Sequence, residues 1–296
     1  MSRQLALVLS GATSSGKSAL GVELALASGG EVVSADAMMV YRHMDIGTAK
    51  PTVAERSGVP HHLIDVVEPS ESYSVGRWVQ EAEAALEEIV SRGRTPLVVG
   101  GTGFYIRSLC QGTALGPAPD PVVRQRLGQE AAEQGWRALW QRLGAIDPES
   151  ARRCGPNPRR VMRALEIWEV SGVLPSEQPR RVPVCRFEKV AIERPLAELD
   201  RRIEARVEQM LARGLVEEVQ AWLELGPGPT AREALGYKEM VRFLQGEMGL
   251  GEAVALMKLH SKQYARRQLA WLRSEPGLAW CRPEEVMAWA RRLPGS

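Results

Sequence analysis

An eight-residue phosphate-binding motif near the N-terminus restricts the possible folds of this chain more than any other feature. Gly11-Ala12-Thr13-Ser14-Ser15-Gly16-Lys17-Ser18 matches the pattern G-x-x-x-x-G-K-[ST] in full. The motif requires a buried strand before it and a helix after it. The apolar run at residues 5–10 and the helical pattern at 18–27 meet both requirements. The chain is therefore predicted to form an α/β core whose loop binds phosphate or diphosphate.

The chemistry of this loop follows from its backbone and two side chains. Loop N–H groups and the helix dipole favour an anion at the start of the helix. Lys17 adds a mobile positive charge, and the Ser18 hydroxyl is the predicted Mg²⁺ ligand. A hydrolytic P-loop enzyme usually adds an acidic residue at the end of another core strand. The strand predicted at 95–99 ends in Gly-Gly-Thr-Gly. This weakens the ATPase interpretation and leaves a diphosphate leaving group as the alternative.

Strand and helix patterns alternate through the first third of the chain. Short apolar runs at 5–10, 31–34 and 95–99 read as buried strands, and helical periodicity occupies 18–27 and 75–90. This order predicts a parallel sheet of the P-loop NTPase type, flanked by helices.

The pattern becomes helical after about residue 112. Helices are predicted at 122–143 and 158–170, followed by a Pro-rich stretch at 175–183. A strand-like pattern then returns at 184–192, before long helices at 196–223 and 251–272. We therefore predict a catalytic core of residues 1–111 and 184–296, with an all-helical insertion domain at 112–183.

Charge does not by itself argue for nucleic acid binding, because the 296-residue chain has a formal net charge of only +2. Any RNA contact must use local patches. Lys258, Lys262 and Arg266 share one helical face, which could track RNA phosphates or pack beside the diphosphate site. A second basic cluster comprises Arg152, Arg153, Arg159, Arg160 and Arg163, with Glu166 and Glu169 as partners if the face is merely solvated.

Several site types and locations are disfavoured. The four cysteines are far apart and lack C-x-x-C spacing, which argues against zinc and disulfides and fits a reducing cytoplasm. Adjacent His61 and His62 are predicted to have a structural role in a loop rather than to bind metal. No apolar run approaches the length of a membrane span, and the first run is too short for a signal peptide. A cytoplasmic protein is predicted.

An ordered series of blocks, from about residue 9 to 273, resembles the tRNA dimethylallyltransferase family of bacterial type. The series begins with the P-loop. The next block runs from Asp36 to Tyr41. Asp36 follows the second predicted strand, where either a catalytic carboxylate or a helix N-cap is expected. The remaining blocks are Met44-Asp45-Ile46-Gly47-Thr48-Ala49-Lys50-Pro51, His61-His62-Leu63-Ile64-Asp65, Gly100-Gly101-Thr102-Gly103-Phe104-Tyr105, Arg160-Val161-Met162-Arg163-Ala164-Leu165-Glu166, Gly236-Tyr237-Lys238-Glu239 and Tyr264-Ala265-Arg266-Arg267-Gln268-Leu269-Ala270-Trp271-Leu272-Arg273.

The resemblance implies transfer of a dimethylallyl group from dimethylallyl diphosphate to N6 of the adenosine 3′ of the tRNA anticodon, position 37. The P-loop would hold the diphosphate with Mg²⁺, and Lys17 would stabilise the departing charge. Asp36 would accept the amine proton, and Thr102 would hydrogen-bond near the reacting centre. Arg206 resembles the family's diphosphate-binding arginine, the alternative being a solvated helix face.

The resemblance also implies contacts to the tRNA anticodon stem-loop, with the target base extruded into the pocket. The expected contacts are Asp36, Ala37, Met38, Met39, Thr102, Arg124, Arg159, Arg160, Val161, Met162, Arg163, Arg232, Gly236 and Tyr237. Where the family often has Asp-Ser, any residue and Gln, this chain has Asp36-Ala37-Met38-Met39. Base recognition is therefore expected to depend more on shape, stacking and backbone contacts.

Two small-molecule enzymes and one non-enzyme remain as alternatives. The nucleotide kinase is disfavoured because no carboxylate follows the strand predicted at 95–99. The adenylate prenyltransferase is disfavoured because an Arg-rich insertion would have no role in binding a mononucleotide. A non-catalytic RNA-binding protein does not account for an intact Gly-Lys-Ser loop together with Asp36 and Thr102. A monomer is expected, because RNA would supply the main interface.

Overall fold

The computed structural model describes residues 4–291, and the chain divides into two compact units. The second unit is Gly112–Val182, and the first comprises the chain before and after it. The first unit contains a six-stranded sheet, and every strand pair is parallel. Its strands are β1 Leu5–Gly11, β2 Glu31–Ser34, β3 His61–His62, β4 Pro96–Gly100, β5 Arg186–Ile192 and β6 Leu278–Cys281, in the spatial order β3-β2-β4-β1-β5-β6. The predicted parallel α/β fold is confirmed.

The first unit also contains helices, which lie before and after the second unit in the sequence. Before the second unit they are α1 Lys17–Ser28, α2 Val53–Arg56, α3 Val75–Ser91 and α4 Gly103–Cys110. The second unit consists of α5 Pro121–Gln134, α6 Trp136–Ile146, α7 Pro148–Cys154 and α8 Pro158–Ser171. The first unit then continues with α9 Leu196–Ala212, α10 Leu215–Glu224, α11 Pro229–Arg232, α12 Tyr237–Leu244, α13 Leu250–Arg273 and α14 Val286–Ala290. No helix in the described part of the chain is long and apolar enough to cross a membrane.

Strand register brings the functional turns to one edge of the sheet. Central strand β1 pairs with β4 so that Ser10 lies opposite Gly100, and the Ser10 hydroxyl donates to the Gly100 carbonyl over 2.8 Å. On the other side of β4, Ser34 lies opposite Val99. Because parallel strands end at the same edge, the residues after β1, β2 and β4 become neighbours.

Two helices predicted as continuous are each broken by a glycine. The 122–143 prediction is wrong because Gly135, with φ 81°, separates α5 from α6. The 196–223 prediction is wrong for the same reason, since Gly214, with φ 94°, separates α9 from α10. A left-handed or otherwise positive φ ends an α-helix, and glycine adopts it without steric cost. The short helix α7 was not predicted.

The two outer strands were also missed, because their patterns are too short to recognise. His61 and His62 form β3 rather than a loop, which corrects the loop assignment. The His62 Nε2 lies 2.7 Å from the Glu31 carboxylate, and the His61 Nδ1 lies 2.9 Å from the Val59 carbonyl. Both imidazoles therefore make structural contacts at the edge of the sheet.

The second unit has its own apolar core and a buried acidic centre. Leu127, Leu139, Leu143 and Leu165 are almost completely buried in the core. The Glu166 carboxylate, also buried, accepts hydrogen bonds from Arg124, Arg163 and the Asp120 N–H. Burial alone would raise the pKa of Glu166, but these hydrogen bonds together outweigh it and lower the pKa. Two of the arginines expected to contact RNA are thus engaged by a carboxylate inside this unit.

Helices α9 and α13 are joined by a row of ion pairs. Lys258, Lys262 and Arg266 pair with Glu208, Glu204 and Asp200 respectively. All three acids lie on α9. Because no acid lies near these cations within the α13 sequence, the pairing could not be predicted from it. The basic face of α13 therefore packs against an acidic face of α9.

Candidate active site

The P-loop is built by backbone geometry at two positions. Gly16, with φ 95°, and Ser14, with φ 61°, both adopt positive φ values, and the Ser15 N–H donates to the Ala12 carbonyl over 3.1 Å. The first N–H groups of α1 lack intrahelical acceptors, as in any α-helix. The buried hydroxyls of Ser14 and Ser15 have no partner among the described residues. Unused donors converging on one loop are what an anion such as diphosphate requires.

Two arginines missed by the sequence analysis hold the loop from outside. Arg194 Nε donates to the Ser15 carbonyl and Arg202 Nε donates to the Ser14 carbonyl, each over 2.7 Å. A trans peptide directs its C=O and N–H in opposite directions. Fixing the Ser15 carbonyl therefore also fixes the direction of the Gly16 N–H. No sequence signal pointed to these residues, because their partners lie 179 and 188 positions away.

Lys17 is the first cation of the site. Its Nζ lies 3.4 Å from the Ala12 carbonyl. Burial lowers the pKa of Lys17 to about 8, with Asp36 opposing this shift and Arg206 adding to it. The ammonium therefore stays mostly protonated at neutral pH and loses its proton above about pH 8. An anionic ligand in the loop would favour the charged form.

Arg206 is the second cation, and it lies on the face of α9 that meets the P-loop. Its Nη1 donates to the Thr13 hydroxyl over 3.3 Å, and its Nη2 donates to the Thr48 carbonyl over 3.1 Å. Burial lowers its pKa, and Asp36 acts in the opposite direction. The structure thus excludes the solvated-face alternative for Arg206. Neutral acceptors orient the guanidinium without cancelling its charge.

Asp36 follows β2 in a turn rather than at the start of a helix. Its Oδ1 accepts from the N–H groups of Met38, at 2.9 Å, and Met39, at 3.4 Å. Its Oδ2 has no hydrogen-bond partner among the described residues, and Asp36 lines a cavity. One oxygen therefore shapes the turn, while the other is available as a proton acceptor.

Thr102 connects this turn to the end of β4. The Thr102 Oγ1 accepts from the Ala37 N–H over 3.0 Å, and the Thr102 N–H donates to the Ala35 carbonyl, also over 3.0 Å. Thr102 is the residue before α4. Asp36 and Thr102 are consequently held together as one polar rim, as the strand order predicts.

Two cavities meet at Arg206. One, of about 530 Å³, is lined by the P-loop with Lys17, Ser18, Arg202 and Arg213. The other, of about 360 Å³, is lined by Asp36, Thr102 and Tyr264 on its polar side, and by Ile203, Val207, Met210 and Met257 on its apolar side. Ser14, Arg206 and Met210 line both. A strongly cationic cavity thus adjoins one that offers a carboxylate and an apolar wall.

Tyr264 adds a neutral hydroxyl to the second cavity. Burial and the Asp36 charge raise its pKa to about 12, while hydrogen bonding with Gln268 and Thr102 acts in the opposite direction. The phenol therefore remains protonated across the physiological range and can act as a hydrogen-bond donor.

The predicted RNA contacts fall into three groups. Ala37, Met38 and Thr102 line the second cavity with Asp36, whereas Met39 is buried beside it. Arg159, Arg160 and Arg232 are exposed, and Met162 is half-buried. The remaining positions are either buried or paired with the Glu166 carboxylate.

Three of the residues expected to contact RNA are buried, so their assignment is corrected. Val161 is 1% exposed in the core of the helical unit, and Tyr237 is 0% exposed. The Tyr237 hydroxyl donates to Glu218 over 2.5 Å, and the same carboxylate accepts from the N–H groups of Asp45, Ile46 and Gly47. Gly236 is buried before Tyr237 and has φ 91°, a backbone conformation that favours glycine. Tyr237, Gly236 and Val161 are therefore structural in this fold rather than available to RNA.

Family models match nearly all of the chain. The model described as IPP transferase matches residues 39–275, and the one described as isopentenyl transferase matches residues 4–67. A tRNA dimethylallyltransferase of Thermus thermophilus is 49% identical over 91% of this chain and 90% of its own length. One from Deinococcus radiodurans is 43% identical, covering 94% and 92%.

Solved structures agree in fold. The tRNA isopentenylpyrophosphate transferase of Bacillus halodurans aligns with a TM-score of 0.73 and 37% identity, covering 98% of this chain and 95% of its own. A eukaryotic dimethylallyltransferase, solved acting on tRNA, aligns with a TM-score of 0.81 and 28% identity, covering 97% and 77%. A P-loop parallel sheet, the cavities at its edge and this similarity over nearly the whole length lead to one conclusion: the chain belongs to the IPP transferase family.

Proposed function

We propose that this chain transfers a dimethylallyl group from dimethylallyl diphosphate to N6 of the adenosine immediately 3′ of the anticodon, position 37, in tRNA. The observation that carries the proposal is the adjacency of the two cavities. Lys17 and Arg206 supply positive charge for a diphosphate on one side, and Asp36 presents an unpartnered oxygen on the other. The relatives named above support the same reaction.

The reaction balances as a single displacement. The adenine N6 lone pair forms a bond to the allylic carbon, the carbon–oxygen bond breaks, and its electron pair leaves on the diphosphate. Asp36 accepts the proton lost by the amine, and Lys17 and Arg206 stabilise the negative charge that develops on the leaving group. The apolar wall formed by Ile203, Val207 and Met210 suits the prenyl chain.

Mg²⁺ is proposed as the cofactor. Within residues 4–291, no group of three histidine, cysteine or acidic side chains could hold a metal. The Ser18 hydroxyl, which has no hydrogen-bond partner in this part of the chain, would instead share the ion with the substrate diphosphate. When bound, the ion would supply charge neutralisation for the leaving diphosphate.

The helical unit is proposed to contact the tRNA anticodon stem-loop. Arg159 and Arg160 are exposed at the start of α8 and have no acidic partner among the described residues. Free guanidinium groups bind phosphate without first breaking an internal ion pair. We further propose that the protein acts as a monomer in the cytoplasm, where it would encounter tRNA.

The test is to incubate the protein with Mg²⁺, radiolabelled dimethylallyl diphosphate, and either unmodified tRNA or free AMP. Label should enter tRNA, and Asp36→Asn should lower the rate by at least about 100-fold, the range typical of a lost general base. The asparagine carbonyl can still accept from Met38, so tRNA and diphosphate binding should persist. Label in AMP alone would instead identify a small-molecule prenyltransferase, and ATP consumption without labelling would identify a kinase.

A further inference from the structure

Gln268 bridges two loops of the site and has no role in the reaction described above. It lies on α13 and is buried. Its Oε1 accepts from the Thr13 N–H over 2.8 Å, and its Nε2 donates to the Gly101 carbonyl over 2.9 Å. Because one bond needs an acceptor and the other a donor, an amide satisfies both, whereas a carboxylate or an apolar side chain does not.

The two loops joined by Gln268 serve the two substrates. Thr13 belongs to the P-loop, and its hydroxyl accepts from Arg206. Gly101 precedes Thr102, which is bonded to the Asp36 turn through the Ala37 N–H. One side chain therefore connects the loop for the diphosphate with the rim for the amine.

Gly101 permits this connection. A Cβ atom at position 101 would lie 2.4 Å from the Gln268 Nε2 and 3.3 Å from the Gly11 carbonyl. Both distances are shorter than ordinary contacts, so any larger residue would displace the amide or the P-loop backbone. Gly101, which follows β4, and Gln268 on α13 are thus fitted to each other.

We propose that Gln268 is a positioning residue that sets the distance between the diphosphate loop and the Asp36–Thr102 rim. This inference rests on the proposed function, because that distance matters only if a group passes from one side to the other. Misplacing reacting atoms by about 1 Å can cost about 100-fold in rate. Loss of the bridge should therefore lower kcat, while each substrate still finds its own loop and KM changes little.

Gln268→Glu tests the donor half of the bridge. The carboxylate can still accept from Thr13, but when ionised it repels the Gly101 carbonyl. We expect kcat to fall by about 10- to 100-fold at pH 8. In Gln268→Met, which removes the bridge without placing a charge beside Lys17, kcat should fall to a similar extent, while KM for dimethylallyl diphosphate and the Kd for inorganic diphosphate stay within about threefold. Protonation of the introduced carboxylate restores a donor, so the ratio of variant to wild-type kcat should rise as pH falls.

The surroundings of position 268 determine how far this recovery extends. Lys17 and Tyr264 lie near it. The Lys17 Cε lies 3.5 Å from the place that a Cβ at position 101 would occupy, and the Gln268 amide lowers the pKa of the Tyr264 hydroxyl against the larger effect of burial. The Lys17 charge favours an ionised carboxylate, so recovery is expected only at the acidic end of the range. Gln263→Glu, at an exposed position on the same helix, is the control and should leave kcat and its pH profile unchanged.

A double-mutant cycle with Gly101→Ala provides the second measurement. Because both changes break the same bond, the double variant should be little slower than the slower single variant. Thermal unfolding of each variant checks that it folds. A Gln268→Glu enzyme with wild-type kcat at every pH, or rate losses that multiply, would overturn the positioning role. Absence of transfer by the wild-type protein would instead overturn the proposed function, and the diphosphate titration remains readable in that case.

Discussion

Arg206 at the P-loop and the arginines around Glu166 and Glu169 in the helical unit are held by different kinds of acceptor. At the P-loop, Arg206 donates to a hydroxyl and a carbonyl, and no carboxylate in the described part of the chain pairs with it. In the helical unit, Glu166 accepts from Arg124 and Arg163, while Glu169 pairs with Arg126 and Arg142. Neutral acceptors orient a guanidinium and leave its charge for a ligand, whereas a carboxylate uses that charge to hold the fold together. The number of arginines in a segment therefore says little about its capacity to bind phosphate.

The largest effect should follow removal of an unpaired arginine. Arg206→Gln should lower the transfer rate by about 100- to 1000-fold, because a donor aimed at developing charge is lost. Its effect on the free energy of unfolding should be small, since no ion pair breaks. Steady-state kinetics and denaturant unfolding measure the two quantities.

Arg163→Gln is the matched change in the helical unit. It removes one partner of the buried Glu166, so the free energy of unfolding should fall by about 1–3 kcal/mol, while the transfer rate at saturating tRNA stays near that of the wild type. If Arg206→Gln instead destabilised the protein and Arg163→Gln lowered kcat, the contrast between these two arginines would be wrong.

The second largest effect concerns pH. The pKa of Lys17 is about 8 in the free protein, so its charge is present below that pH and lost above it. The kcat/KM for dimethylallyl diphosphate should therefore decline above about pH 8, by up to tenfold per unit. Lys17→Arg keeps the charge at all these values and should remove the decline. A wild-type profile that stays level up to pH 10 would contradict this assignment.

A third prediction separates exposed arginines from paired ones. Replacing both Arg159 and Arg160 with Gln should weaken tRNA binding and reduce the slope of log K against log salt by about 1.5, as expected for two lost phosphate contacts. Arg126→Gln, which removes a partner of Glu169, should change this slope much less. Filter binding at several salt concentrations gives both slopes, and equal changes would refute the distinction.

The smallest effect is expected where both partners of a pair are accessible to water. Lys262→Gln breaks one ion pair between α9 and α13, and such pairs contribute little. The free energy of unfolding should change by no more than the error of its measurement, and transfer should be unaffected. A large loss of tRNA binding would show that this face of α13 tracks RNA after all.

Local features of the fold were predictable, and long-range features were not. The strand, loop and helix around the P-loop, and the β2 strand at 31–34, follow from patterns within a few residues. The breaks at Gly135 and Gly214 were missed because a helical pattern continues on both sides of each glycine. The edge strands β3 and β6 were missed because two or four residues carry too little pattern.

The same division applies to the candidate site. Lys17 could be proposed from the P-loop motif, Asp36 from its position after a strand together with the family resemblance, and Thr102 from that resemblance. Val161 and Tyr237 were assigned to RNA because they lie in family motifs, but burial depends on which helical face meets the core. Arg194 and Arg202 had no signal, and Gln268 stood in a family block without an assigned role, since each bonds a loop more than 160 positions away.

The residues alone thus specified the phosphate loop, the parallel sheet and the carboxylate at its edge, because these depend on short-range hydrogen bonding and on the order of strands. Only the folded arrangement decided which cations are free to act. A charge becomes available or neutralised according to the acceptor that packing brings beside it. For Arg206 that acceptor is a hydroxyl and a carbonyl, and for Arg163 it is chiefly a buried carboxylate.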